Sequence, residues 1–178
     1  MIFLSAGHFN QDPGAVGNGY VERDLTIELR GLVLGEIQKL GGSVVLDDDR
    51  ESLAKYISRI KPGFGSVVCE LHFNAAGSAS ATGAEVLYPQ SGSLLSIDLA
   101  KELTLAISST LGIVSRGAKS ESESHRGRLA ILRTAAGISC LPEICFISSK
   151  SDMVAYQNNK KVLAKRIAEI LVKYDKVK

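Results

Sequence analysis

Short apolar runs alternate along the chain with longer stretches in which apolar residues recur every three or four positions. That alternation predicts strands and helices in turn. Ile2 to Ala6 reads as a buried strand ended by Gly7-His8. Phe9 to Gly19 is a loop dense in turn residues, with Asp12-Pro13-Gly14, Gly17 and Asn18-Gly19. Asp24 is placed to cap a helix carrying Leu25, Leu29, Leu32, Val33, Ile37 and Leu40, which Gly41-Gly42 stops. A strand at Ser43–Leu46 follows, then a helix with Leu53, Ile57 and Ile60 on one face, broken at Lys61-Pro62-Gly63. Ser66 to Leu71 forms a third strand that delivers His72 at its end.

Beyond a small-residue loop, Ala84–Tyr88 is predicted as a strand and Leu94–Leu111 as a long amphipathic helix. Val114 to Arg128 is polar and charged and reads as a long surface loop. Leu129–Leu132 and Ile144–Ile147 read as short strands, and Pro142 assigns the latter to a sheet edge or a strand start. A helix from about Asn159 to Tyr174 ends the pattern, with Val162, Ile167, Ile170 and Leu171 inward. The expected class is α/β. Residues 1–178 are expected to form a single domain with a mixed, mostly parallel sheet of about six strands flanked by helices.

Composition narrows the function. The 178 residues are 45% apolar, and 21 Lys and Arg against 19 Asp and Glu leave a net charge of +2. Neither nucleic acid nor an anionic membrane is called for as a partner, and no apolar run approaches the ~20 residues that span a bilayer. Cys69, Cys140 and Cys145 are odd in number and lack CxxC spacing, which argues against a disulfide framework and excludes a Cys-type zinc ribbon. The Met-Ile-Phe-Leu-Ser start carries no basic leader region, so synthesis in the cytoplasm without a signal peptide is expected. With only three histidines, a metal site must draw on His8, His72 and His125 or do without.

His8 follows the first strand, His72 the third, and Glu143 lies near the last. In open α/β sheets the crevice beyond the carboxyl ends of strands is where ligands bind. Two histidines arriving there can share a zinc ion, and a catalytic zinc commonly takes three protein ligands. His125 sits in a polar loop, so a carboxylate is the more natural third ligand. Glu22 suits by position, although spacing does not separate it from Asp12 or Asp24. The plainer alternatives are structural histidines and, for Glu22, a first-turn carboxylate favoured by the helix dipole. Glu143 is harder to explain structurally, because a carboxylate between Pro142 and Ile144-Cys145-Phe146-Ile147 is costly to bury without a partner.

Several blocks in order resemble the zinc-dependent N-acetylmuramoyl-L-alanine amidases of the type-3 class. They are Leu4-Ser5-Ala6-Gly7-His8 with Asp12-Pro13-Gly14-Ala15; Glu22-Arg23-Asp24-Leu25; and Leu71-His72-Phe73-Asn74-Ala75 with Gly83-Ala84-Glu85-Val86. Ser115-Arg116-Gly117 and Leu141-Pro142-Glu143-Ile144-Cys145-Phe146-Ile147-Ser148 complete the set. The resemblance implies that His8, Glu22 and His72 bind one Zn2+ and that Glu143 is catalytic. It also implies cleavage of the amide between N-acetylmuramic acid and the L-alanine of the stem peptide, zinc polarising the carbonyl and acidifying water while Glu143 shuttles the proton. Asn74 and Arg116 are expected stem-peptide contacts by family position, and His125 a contact to substrate or to the developing oxyanion. Phe9-Asn10 stands where many relatives carry a Gly pair.

The competing functions are a zinc peptidase acting within the stem peptide and a non-catalytic wall-binding domain with structural zinc. Without an expected leader, the sequence resembles a phage endolysin, for which release through a holin pore and action at the bacterial cell wall are expected; a bacterial autolysin is the alternative. The expected organisation is one catalytic domain with no separate wall-binding domain. Gly14, Gly17 and Gly19 do not make a nucleotide loop. Asp47-Asp48-Asp49 reads as a strand end with a helix cap in preference to a cation site, and Lys119 to Arg128 as a solvated loop.

Overall fold

The computed structural model describes residues 1–78, 80–124 and 126–176. In chain order the elements are β1 (Ile2–Ala6), β2 (Val16–Gly17), β3 (Tyr20–Val21), α1 (Glu22–Lys39), β4 (Val44–Leu46) and α2 (Leu53–Arg59). They continue with β5 (Val67–Asn74), β6 (Ala84–Tyr88), α3 (Leu94–Leu111), β7 (Ser115–Ser120), β8 (Ile138–Phe146) and α4 (Lys150–Asp175). Six strands form one sheet in the order β4-β1-β5-β8-β6-β7, and β2 with β3 makes a small hairpin. β4, β1, β5 and β8 run parallel, whereas β6 is antiparallel to β8 and parallel to β7. The chain leaves β1 for β4 and then crosses back to β5. The carboxyl ends of β1 and β5 therefore flank a point where strand order reverses, where such sheets hold ligands.

The two faces of the sheet are covered unequally. α1, α4 and α3 pack side by side over one face, on a core that includes Ile2, Leu4, Val67, Cys69, Leu71 and Phe73. The other face carries a smaller cluster in which Phe3, Val68, Leu87 and Leu141 meet Tyr56 and Ile60 at α2. Side chains alternate along a strand with period two. Ser5 therefore shares the second face with Phe3, Glu70 and His72 with Val68, Glu143 with Leu141, and Glu85 with Leu87. Along β5 that face turns from apolar to polar, and the polar end is where the candidate chemistry gathers.

Several expectations need correction. Ser115–Ser120 is the edge strand β7, not a loop; its partly exposed residues suit an edge, where polar side chains blunt unwanted pairing. Leu129–Leu132 is not a strand, because Ala130–Arg133 forms a 3-10 turn burying Ile131 and Leu132. The strand expected at Ile144–Ile147 is, as far as Phe146, the end of β8, which starts at Ile138 and runs through the middle of the sheet, so Pro142 is at neither an edge nor a strand start. Pro142 removes one ladder donor, but Leu141 and Glu143 on either side pair with β6 and hold the strand in register. Asp24 does not cap α1, whose first residue is Glu22 and whose N-cap, Val21, makes no side-chain cap. α4 starts at Lys150, not near Asn159, because Ser149 caps it and Met153 and Tyr156 are buried. Of the aspartate triplet, Asp47 and Asp49 accept from Arg30 at 2.6 and 2.5 Å, and Ser52 caps α2 instead.

Candidate metal centre and catalytic site

β1 ends at Ala6, and beyond Gly7 His8 takes the left-handed backbone conformation with φ 71°, uncommon outside glycine. This turns the chain out of the sheet and aims the ring across the crevice. His8 Nδ1 lies 2.9 Å from Asp12 Oδ2, while the other Asp12 oxygen accepts the Gly14 N–H at 3.1 Å. Glu22 opens α1, where unpaired helix N–H groups favour a carboxylate. It is nevertheless bent back: Oε2 accepts from Ala15 N–H at 2.9 Å and Oε1 from Phe73 N–H at 3.0 Å. Within β5, His72 puts Nδ1 3.0 Å from Glu22 Oε1, and His8 Nε2 lies 3.1 Å from Glu22 Oε2. One ligand atom from each of His8, Glu22 and His72 can be chosen so that all three lie within 4.8 Å of one another.

Two glycines make room for the rings. A Cβ on Gly7 would sit 2.4 Å from His72 Cε1, and one on Gly14, whose φ is +66°, would sit 2.6 Å from His8 Nε2 and 2.7 Å from Glu22 Oε2. Gly7→Ala should displace the His72 ring and cost roughly 1–3 kcal/mol of stability, the usual range for overpacking. Chemical denaturation checks the stability, and zinc uptake by the folded variant checks the ring; unchanged values for both would mean the cradle has slack.

The electrostatics suit a cation. Burial disfavours an imidazolium at His72, yet the hydrogen-bonded carboxylates Glu22 and Glu70 hold its pKa well above the ordinary value. His8 behaves alike: burial opposes its charge, but Glu22 and Asp12 outweigh it and raise the pKa. Burial also opposes the Glu22 charge, and the two histidines overcome that and hold the carboxyl far below its usual range. A divalent ion in place of two imidazolium protons carries the same charge and meets three donors already turned inward.

Glu143 is the register partner of His72 on β5 and of Glu85 on β6. Burial pushes its carboxyl up to about 7 against the pull of His72. Its Oε2 is buried and has no hydrogen-bond partner among the described residues, an expensive state unless a proton or a cation is supplied. These residues fit a zinc ion: three nitrogen and oxygen donors, a glycine cradle, and an unpartnered carboxylate oxygen on the strand beside His72.

Asn74 and Arg116 lie along the same row, tied to Glu85. Asn74 Nδ2 donates to Glu85 Oε1 at 3.2 Å, and Arg116 Nε and Lys119 Nζ each donate to Oε2 at 2.7 Å. His125 lies outside the described residues. Sequence reasoning overlooked Glu85, Lys119 and Glu70 as part of the site. The signal for Glu70 was present as alternation: Val68, Glu70 and His72 fall on one face of a strand whose other face is wholly apolar.

Fold and site together define a class: a single mixed-sheet α/β layer with a His-Glu-His cluster beside a buried carboxylate at the strand ends. The chain belongs to the N-acetylmuramoyl-L-alanine amidase family, which matches residues 2–173. It is 27% identical over 155 residues to the N-acetylmuramoyl-L-alanine amidase LytC of Bacillus subtilis, covering 85% of this chain and 30% of that relative's length. The fold is shared with the N-acetylmuramoyl-L-alanine amidase from Clostridium difficile 630 at TM-score 0.82 and 22% identity, covering 99% of this chain and 97% of that one. It is shared also with the catalytic domain of the CD27L endolysin, at TM-score 0.79 and 22% identity, covering 97% and 96%. No described helix is long and apolar enough to cross a membrane.

Proposed function

We propose that this chain is a zinc-dependent amidase domain that cleaves peptidoglycan between N-acetylmuramic acid and the L-alanine of the stem peptide. The observation that carries the reading is the unpartnered Glu143 carboxylate beside the His8, Glu22 and His72 donor cluster. Those three residues would hold the ion. When bound there, zinc supplies Lewis-acid polarisation of the scissile carbonyl and water of lowered pKa. Glu143, poised near neutrality, takes the proton of the attacking water and passes it to the departing alanine nitrogen. Asp12 holds the His8 ring through its other nitrogen. Asn74 and Arg116 border the crevice and would contact the stem peptide, and His125 is assigned the same role from the family resemblance alone. A direct attack by water needs no nucleophilic serine or cysteine, in keeping with the burial of all three cysteines.

The whole chain is proposed as one catalytic unit, acting at the bacterial wall as an endolysin or autolysin. Product analysis on purified peptidoglycan tests the bond specificity. New amino termini should be L-alanine and should appear in step with clearing of the wall suspension. Termini from residues further along the stem would make the enzyme a peptidase instead, and stoichiometric zinc with no new termini would make it a binding domain.

A further inference from the structure

Ser5, Glu70 and His72 form a chain of contacts on the sheet's second face, behind the donor cluster. Ser5 and Glu70 are register partners on β1 and β5, and the Ser5 hydroxyl donates to Glu70 Oε2 at 3.0 Å. Glu70 Oε1 lies 3.1 Å from His72 Nε2. The glutamate is only 4% exposed, and among the described residues His72 is its one ionisable partner. A buried carboxylate is a poor device for stability, since a well-packed apolar residue usually does as well or better. Here it faces the far nitrogen of a ring whose near nitrogen meets Glu22. A hydrogen fixed on Nε2 leaves the lone pair on Nδ1, because neutral imidazole carries one donor and one acceptor.

We propose that Glu70 is a positioning residue for the metal centre: by accepting the Nε2–H of His72 it fixes the tautomer and the ring orientation, presenting Nδ1 to the ion. Ser5 in turn holds the carboxylate. The inference rests on the metal reading of His8, Glu22 and His72. Outer carboxylates of this kind typically change metal affinity by about 10- to 100-fold when removed.

The test is zinc affinity, measured by competition with a chromophoric chelator on the full chain and its Glu70→Ala and Glu70→Gln variants. Melting temperatures of the metal-free proteins are recorded alongside. Glu70→Ala should weaken zinc binding about 10- to 100-fold. Glu70→Gln keeps a carbonyl oxygen for the same hydrogen bond and nearly the same volume, so it should fold normally and fall between Glu70→Ala and the native chain. In the zinc-loaded native protein, long-range 1H–15N correlation should find the His72 proton on Nε2. A purely structural role would lower the metal-free melting temperatures and leave the competition curves of the folded variants unmoved. Affinities within twofold of the native value for both variants, with native protein binding zinc, would overturn the role of Glu70 alone. A native chain that takes up no zinc would instead remove the metal reading itself, and this inference with it.

Discussion

Glu143→Gln should abolish turnover of peptidoglycan while leaving zinc uptake intact. The substitution preserves volume and removes the ability to accept a proton, and Glu143 lies on β8 beside His72 on the neighbouring β5 but outside the three-residue donor set. Positioned general acid–base groups contribute about 10²- to 10⁴-fold to rate. A loss in that range is expected, read as new L-alanine amino groups per unit time on purified walls. The neutral amide also removes the charge whose burial is so costly, so the variant should be no less stable than the native chain. Native-rate clearing by this variant would show that the proton is handled elsewhere, and zinc lost along with activity would show that Glu143 holds the ion.

The second large effect concerns the ion itself. Stripping the protein with a chelator should reduce activity on the order of a thousandfold or more. Lewis-acid stabilisation is worth several kcal/mol, and each 1.36 kcal/mol is tenfold in rate. Stoichiometric Zn2+ should restore it. Glu22→Gln should copy the stripped state, and added zinc should fail to rescue it at the same concentration. Glu22 bridges both histidines within 3.1 Å, so its replacement disconnects the cluster at its centre. Activity that survives complete removal of metal, verified by elemental analysis, would exclude the mechanism.

How much of this the sequence revealed follows from where its signals were local. His8 and His72 stood out because they closed apolar runs, and Glu143 because it interrupted one. Glu22 could not be separated from Asp12 and Asp24 by spacing, since the choice depends on how the loop folds back. In three dimensions Asp24 is exposed and pairs with Arg23, while Asp12 stands behind His8. Pro142 misdirected the placement of β8, because propensity does not record that residues on both sides of it are held by neighbouring strands. β7 escaped notice because an edge strand need not be apolar. Glu70 was hidden by the hydrophobic partners around it, although its period-two relation to His72 was in plain view.

The donor set is assembled from residues far apart in the chain, since Glu22 meets a histidine 50 positions away. An unfolded chain cannot bring such donors together. With an ion held where we propose, zinc uptake and folding become one linked equilibrium. Free zinc at a hundred times the dissociation constant would then add about 2.7 kcal/mol to stability. An ion held there would then also set how long the protein resists proteolysis, so a metal-poor surrounding would shorten the enzyme's working life as well as stop it.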